Sequence, residues 1–243
     1  MSGLALKIIA IISMTLDHAS KLLFDNNSVL IFIGRIAFPI FSYMLVQGYI
    51  NTKNDKKRLG KYIIRLLIFA LISEIPYRLC FNNSNLIGGN VLFELLFGIF
   101  ALMLYDYLSK DYKLLGLVSI FSFALLSFGL NLDWGFWGIL IIFAFYFYEK
   151  SNKKVILEVS LTSICLLMTC FYIITSVKSY DFASIINSLK TEYATLGIIF
   201  SIPIILSYNK KRGFSSKFLQ LFFYAYYPLH LIILYLLKTL LGT

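Results

Sequence analysis

The sequence predicts an all-α, polytopic integral membrane protein with about nine transmembrane helices, the N-terminus inside the cell and the C-terminus outside. Three observations predict this class. Of the 243 residues, 59% are hydrophobic and only 14% are charged, whereas a soluble domain carries about 25% charged residues. The mean hydropathy is +0.81. The apolar residues fall in runs close to the length that an α-helix needs to cross a bilayer, and the connections between the runs alternate in charge.

The nine apolar runs follow one another with short connections, so we expect one transmembrane domain over residues 1–243. In chain order the runs are Leu4–Phe24, Val29–Ile50, Leu59–Cys80, Val91–Ser109, Leu114–Leu130, Trp134–Tyr148, Val155–Val177, Glu192–Tyr208 and Lys217–Lys238. Eight of them have the length of about 17–25 residues that a membrane-spanning helix needs, and the sixth, with 15 residues, is short.

The charge of the connections predicts the orientation. The second, fourth, sixth and eighth connections hold most of the basic residues: Lys53, Lys56, Lys57, Arg58, Lys61, Lys110, Lys113, Lys150, Lys153, Lys154, Lys210, Lys211, Arg212 and Lys217. Basic loops stay in the cytoplasm, which explains the net charge of +10 without a nucleic-acid partner. The three cysteines lie in or at the end of apolar runs with no metal-binding spacing, and we expect no metal.

Several ionisable residues lie inside the predicted spans. Because a charge at the bilayer centre costs about 2.5–3.5 kcal/mol on insertion scales, such residues are functional candidates. Those at comparable depth in the outer half are Asp17, His18, Arg35, Glu74, Arg78, Glu94 and His230. Their common depth predicts a single buried polar cluster. The alternative is a set of separate ion pairs that join helices, above all for Glu74 and Arg78, which are four residues apart.

All four prolines fall inside predicted spans, and three of them lie beside these polar residues. A helical proline leaves the carbonyl four residues earlier without its partner, so Pro39 frees the carbonyl of Arg35. Pro76 lies between Glu74 and Arg78, and Pro228 precedes His230 by two residues. This placement predicts broken helices around a polar cavity, since such backbone is tolerated in a membrane where it lines one. Simple bending for packing is the alternative.

The two histidines are the strongest chemical signal, because imidazole takes and returns protons near neutral pH. Asp17 and His18 are adjacent and point about 100° apart on a helix, so Asp17 is better placed to meet Arg35 than to orient His18. His18 shares its face with Met14 and Lys7. That face could run from the cytoplasmic mouth to the outer cavity.

Four stretches of the sequence resemble the TraX family, which is linked to N-terminal acetylation of pilin in conjugation systems. They are Leu6–Ala10 with Met14–His18, Gly34–Phe41, Arg65–Tyr77, and Tyr208–Gly213 with Phe223–Leu231. The stretches occur in family order at both ends of the chain. One departure is Lys210, where the family usually has glycine.

The resemblance implies a multi-pass acetyltransferase of the bacterial plasma membrane, akin to transmembrane acyltransferases, that uses acetyl-CoA as acyl donor. The acceptor would be a peptide N-terminus or a glycan. His18 would be the base or a transient acyl carrier, and His230 a second proton relay. Arg35 would hold Asp17 or stabilise the oxyanion, and Glu74 would orient one imidazole. Asn209, Lys210, Lys211, Arg212 and Gly213 would bind the CoA phosphates or serve only as a topology signal.

Two other classes stay open at this point. Intramembrane ionisable residues beside broken helices are also typical of ion-coupled transporters. Against this, nine spans do not divide into two halves, and Asp17-His18 has no matching motif in the second half. A non-catalytic assembly factor is the third class, although it would not need buried histidines.

Overall fold

A computed structural model describes residues 1–81, 89–177, 188–189, 192–214 and 216–242. Every regular element within these residues is helical, which confirms the all-α prediction. The α-helices are α1 (Gly3–Leu23), α2 (Ser28–Gly34), α3 (Ala37–Thr52), α4 (Lys56–Phe81), α5 (Val91–Leu108), α6 (Lys113–Gly129), α7 (Gly135–Ser151), α8 (Lys154–Ser176), α9 (Ser201–Leu206) and α10 (Lys217–Leu241), with a 3₁₀ helix, η1 (Tyr193–Phe200), before α9.

Each predicted span coincides with one helix or with two consecutive ones. Within the described residues, five stretches are long and apolar enough to cross a membrane: Gly3–Leu23, Ser28–Thr52, Val91–Leu108, Lys154–Ser176 and Phe218–Leu241. Helix α4 is longer still but carries Arg65, Glu74 and Arg78, and α6 and η1–α9 are shorter apolar segments. The chain is therefore a membrane protein, while the count of nine crossings and their orientation stay predictions.

The second span is broken, as its proline indicated. Helix α2 ends at Gly34, and α3 begins at Ala37 with Pro39 in its first turn, where a missing backbone N–H costs no intrahelical bond. Pro203 likewise lies in the first turn of α9, where η1 gives way to α-helix. Pro76 and Pro228, by contrast, lie inside α4 and α10, which continue through them. Two of the four prolines thus mark a helix boundary.

The basic connections meet at one end of the helical bundle, which we call the basic end (residues 1–4, 52–58, 106–113, 149–154 and 207–214). There the Lys53 Nζ donates to Asp106 Oδ2 at 2.8 Å, which joins α3 to α5. Lys210 reaches Glu149 at the end of α7. Gly3 N donates to Lys211 O at 2.9 Å, so the N-terminus pairs with the α9–α10 connection. The basic connections, which alternate with less basic ones along the sequence, therefore lie together at one end of the bundle.

Helix α7 forms the centre of the bundle. It packs against α3, α5, α6 and α8, and ten of its 17 residues are buried. The outward faces of the peripheral helices are apolar and exposed: Ile75 on α4, Leu125 on α6, Ile174 on α8 and Leu240 on α10. An apolar surface of this extent would drive aggregation in water, whereas in a bilayer it faces lipid.

Candidate active site

The first and last helices bring the two histidines together. His18 on α1 and His230 on α10 are 212 residues apart in sequence, and their Nδ1 and Nε2 atoms lie 2.7 Å apart. The rings are within 7° of parallel and their centroids are 5.0 Å apart. This geometry is that of an in-plane hydrogen bond, because stacked rings would lie face to face at a shorter separation. Both side chains are buried, with 7% and 4% of their surface exposed.

The hydrogen bonds of the pair set the position of each proton when both rings are neutral. His230 Nδ1 lies 2.9 Å from the carbonyl oxygen of Tyr226. A carbonyl only accepts, so His230 carries its proton on Nδ1, and its Nε2 must accept. His18 therefore donates from Nδ1 to His230. The Nε2 atom of His18 is left without a proton, which is the form that a general base requires.

Aromatic rings enclose the pair. The rings of Phe81 and Tyr227 pack edge-to-face with the His18 ring, at centroid separations of 5.5 Å and 6.1 Å. Thr15, one turn before His18, donates its hydroxyl proton to Ile11 O, so it accepts the bond from the Tyr226 hydroxyl at 2.8 Å. This contact fixes the register of α1 against α10 beside the imidazoles, because a shift of either helix would break it.

A cavity of about 490 Å³ extends from the basic end towards this pair. Helices α1, α3, α4, α5 and α10 contribute to its wall. Five cationic side chains line it: Lys7, Arg58, Lys61, Arg65 and Arg212. Among the described residues that line it, none is Asp or Glu. The uniform positive charge favours an anionic ligand, and Arg and Lys are the usual partners of phosphate.

The cavity is deep and its inner part is apolar. Along α1 its lining runs from Gly3 to Met14, a rise of about 16 Å at about 1.5 Å per residue. Its innermost residues include Val91 at the start of α5 and Tyr227, whose ring contacts both imidazoles. Met14 is one turn before His18. On α1 the lining ends at Met14, and neither His18 nor His230 is part of it. Tyr227 lines the cavity and contacts both imidazoles, so it lies between the cavity and the histidine pair.

Asp17 and Arg35 lie beside this route rather than in it. Asp17 forms an ion pair with Lys21 on its own helix, and Arg35 is within electrostatic range of it. The Arg35 guanidinium lies over the Trp134 ring, 5.3 Å from its centroid. Neither residue is part of the cavity lining.

Glu74 is not brought to either imidazole. Its carboxylate accepts from Arg78 Nε at 2.7 Å and from Asn90 Nδ2 at 2.7 Å, so it links α4 to the start of α5. Glu94 is fully buried and accepts from Ser127 Oγ at 2.8 Å. The prediction of a single buried polar cluster is therefore wrong. The polar residues form four separate hydrogen-bonded groups, because each carboxylate has a partner on its own or a neighbouring helix.

The predicted phosphate loop contributes one residue to the cavity, Arg212. The Lys210 ammonium is bound to Glu149 at 3.2 Å. The Asn209 side chain accepts from Lys211 N within the turn. Gly213 has a φ of +72° and lies against Ser2, so that the backbone can pair with the N-terminus. These residues hold the loop, and the exposed Arg212 lines the cavity within electrostatic range of Lys7.

The other four cavity cations were not selected from the sequence. Arg58 and Lys61 were predicted only to set the topology, and Lys7 was noted only as a residue on the face of His18. A signal did exist: Arg58, Lys61 and Arg65 follow one another at three- and four-residue spacing, which places them on one face of α4. Their convergence with Arg212 requires the tertiary fold.

Comparisons with known proteins identify the family of the chain. A family model described as TraX protein matches residues 2–238. The chain belongs to the TraX family. The matched range includes both histidines and every cation of the cavity.

Two relatives of this TraX chain cover it almost completely. The Probable fimbrial assembly protein FimC, serogroup H1, of Dichelobacter nodosus is 29% identical over 251 residues, which are 96% of this chain and 94% of that protein. The Uncharacterized protein RP591 of Rickettsia prowazekii (strain Madrid E) is 22% identical over 237 residues, 94% of this chain and 89% of that protein. No solved structure matches the chain.

Proposed function

We propose that this TraX protein is an acetyltransferase of the bacterial plasma membrane that moves an acetyl group from cytoplasmic acetyl-CoA to an amine or hydroxyl acceptor at or across the membrane. One observation supports the proposal: a cavity with a cationic mouth at the basic end extends to Tyr227, whose ring contacts both members of a buried histidine pair.

The cavity fits the chemistry of the donor. Lys7, Arg58, Lys61, Arg65 and Arg212 would hold the phosphates of CoA, and the apolar lining beyond them would accept the less polar arm. When bound, the donor supplies a thioester, which is an activated acetyl group. The cavity extends along α1 as far as Met14, so a ligand anchored at the mouth could extend to within one helical turn of His18.

His18 is the base in this proposal. Its Nε2 atom removes the proton from the attacking amine or hydroxyl and returns it to the sulfur that leaves. His230 is a positioning residue, since it accepts from His18 Nδ1 and is itself fixed by the Tyr226 carbonyl. Asp17 and Arg35 act from beside the pair, where their charges stabilise the local packing of α1 and α2.

The proposal for the acceptor rests on the name of one relative. One of them is named a fimbrial assembly protein, which favours the N-terminus of a pilus or fimbrial subunit over a glycan. The same name also favours a second candidate function, a non-catalytic assembly factor. The two differ in a simple property, because an assembly factor without catalysis has no need to bind acetyl-CoA.

The first test is donor binding by the purified protein. Arg212→Ala should weaken acetyl-CoA binding by about tenfold or more, as expected for a lost charge-assisted hydrogen bond. The loss should shrink as salt is raised, since screening already weakens the contact. Lys211→Ala is the matched control, because Lys211 lies in the same turn but does not line the cavity. Titration calorimetry measures both. Equal affinities of the two variants would remove the phosphate role of Arg212.

The second test is transfer of labelled acetyl to membrane acceptors. His18→Ala should lower turnover by about 10²–10⁴-fold, the usual contribution of base catalysis, with little change in donor affinity. Thermal unfolding shows that the variant is folded. Turnover equal to that of the wild type would exclude His18 as the base, and absence of acetyl-CoA binding by the wild type would favour the assembly factor.

A further inference from the structure

The five cations that line the cavity fall into two groups at different depths. Arg58, Lys61 and Arg212 are exposed at the mouth, and we call them the outer cations. Lys7 and Arg65 are half-buried, and we call them the inner cations. Arg65 follows Arg58 by two turns on α4, a rise of about 10 Å at about 1.5 Å per residue. A group bound by the inner cations would therefore be separate from one bound at the mouth.

Two aromatic rings of α10 position the inner cations. The Lys7 ammonium lies over the Phe223 ring, 5.0 Å from its centroid, and the Arg65 guanidinium lies over the Tyr224 ring at 5.1 Å. The two cations are within electrostatic range of each other. Among the described residues, neither forms an ion pair with a carboxylate. Like charges that are half-buried without a counter-ion repel each other, and a bound anion would offset this repulsion.

The inner cations lie at a distance from His18 that matches the length of a pantetheine arm. Lys7 lies three turns before His18 on α1, a rise of about 16 Å. The extended arm of CoA spans about 15 Å from the diphosphate to the sulfur, at about 3.5 Å for every three bonds. A diphosphate bound by Lys7 and Arg65 therefore allows the thioester to reach the level of His18. A diphosphate at the outer cations would leave the thioester short of it.

We propose that the inner cations bind the diphosphate of the donor and that the outer cations bind a second, separate phosphate, the 3′-phosphate of CoA. The inference rests on the proposed function and names the class of donor that the site selects. Acetyl phosphate and an acyl group on the phosphopantetheine of a carrier protein each have a single phosphate. The site would therefore favour free acyl-CoA over both of these donors at the step of binding.

The test compares the binding of CoA and of dephospho-CoA, which lacks the 3′-phosphate, to the full-length protein in detergent. The wild type should bind CoA about tenfold or more tightly, as expected for a charge-assisted contact. The double variant Arg58→Gln/Lys61→Gln should lose most of this difference, because its affinity for CoA falls while that for dephospho-CoA does not. Lys7→Gln, and separately Arg65→Gln, should weaken both ligands by a similar factor. Titration calorimetry measures the affinities, and thermal unfolding shows that each variant is folded.

Lys56→Gln/Lys57→Gln is the matched control, since it makes the same change of charge on the same helix outside the cavity lining. This variant should keep the preference for CoA. The two-phosphate assignment is overturned, with the proposed function left standing, if the wild type binds both ligands equally or the outer double variant keeps the full difference. Inner variants that leave both affinities unchanged, or that weaken CoA alone, would overturn it as well. A wild type that binds neither CoA nor acetyl-CoA would overturn the proposed function too.

Discussion

At the scale of single residues, one backbone carbonyl sets which ring nitrogens of the histidine pair carry the protons. Tyr226 O can only accept, so it fixes the proton of His230, and His230 in turn fixes that of His18. The Nε2 atom of His18 is made basic by a chain of hydrogen bonds rather than by a carboxylate. Asp17, its neighbour in sequence, is bound by Lys21.

This proton arrangement can be observed directly. The chain contains two histidines, so ¹⁵N-histidine labelling of a protein without a histidine tag gives two ring systems. Above pH 7 we expect both rings to carry the proton on Nδ1 and to have a bare Nε2, because the carbonyl of Tyr226 only accepts. Nitrogen NMR distinguishes the two tautomers. A protonated Nε2 on His18 would contradict the assignment of this atom as the base.

Because burying a charge in a bilayer costs free energy, the polar residues inside the apolar runs could be selected from the sequence as functional candidates. The same argument does not indicate their partners. His18 and His230 were selected because they lie at matched depth on helices that run in the same direction. Their contact follows from the packing of α1 on α10, which no local pattern encodes. For Glu74 the local pattern was the better guide, since its i,i+4 partner Arg78 is the one observed.

At the scale of helices, α2 approaches the backbone of α1 closely at Gly34, where α2 ends. A Cβ atom at Gly34 would collide with the Cβ of Asp17 and lie 2.8 Å from its Cα. Glycine at the end of α2 therefore lets this helix rest directly on the backbone of α1, next to His18. The apolar runs and prolines predicted these elements and the break. The contact itself was not predicted, because glycine alone does not identify its neighbour.

Gly34→Ala should consequently lower the free energy of unfolding by about 1–3 kcal/mol, the usual cost of overpacking. Gly60→Ala on α4 is the control: nothing lies within 4 Å of a Cβ at that position, and alanine is the better helix former. Thermal unfolding of the detergent-purified proteins measures the difference. If Gly34→Ala is as stable as Gly60→Ala, the two helices do not touch as described.

At the scale of the whole molecule, the basic end decides where the cavity opens. Its Lys and Arg residues should hold that end in the cytoplasm, where acetyl-CoA is found. Reporter fusions truncated after Asn54 should show a cytoplasmic location, and fusions after Leu132 an external one. The opposite result would open the cavity to the outside and remove the proposed donor. The alternation of charge predicted that the basic connections share one side of the membrane. The cavity could not be predicted from the sequence, because it forms only where five helices pack together.

The distance in sequence between the members of the histidine pair has a consequence for synthesis. A ribosome makes α10 after the other described helices, so the His18–His230 bond and the cavity wall that includes Arg212 form late in the synthesis of this segment. A truncated or stalled product lacks the second imidazole and one wall of the cavity. Under the proposed function, fragments that end before α10 should therefore be unable to transfer acetyl groups.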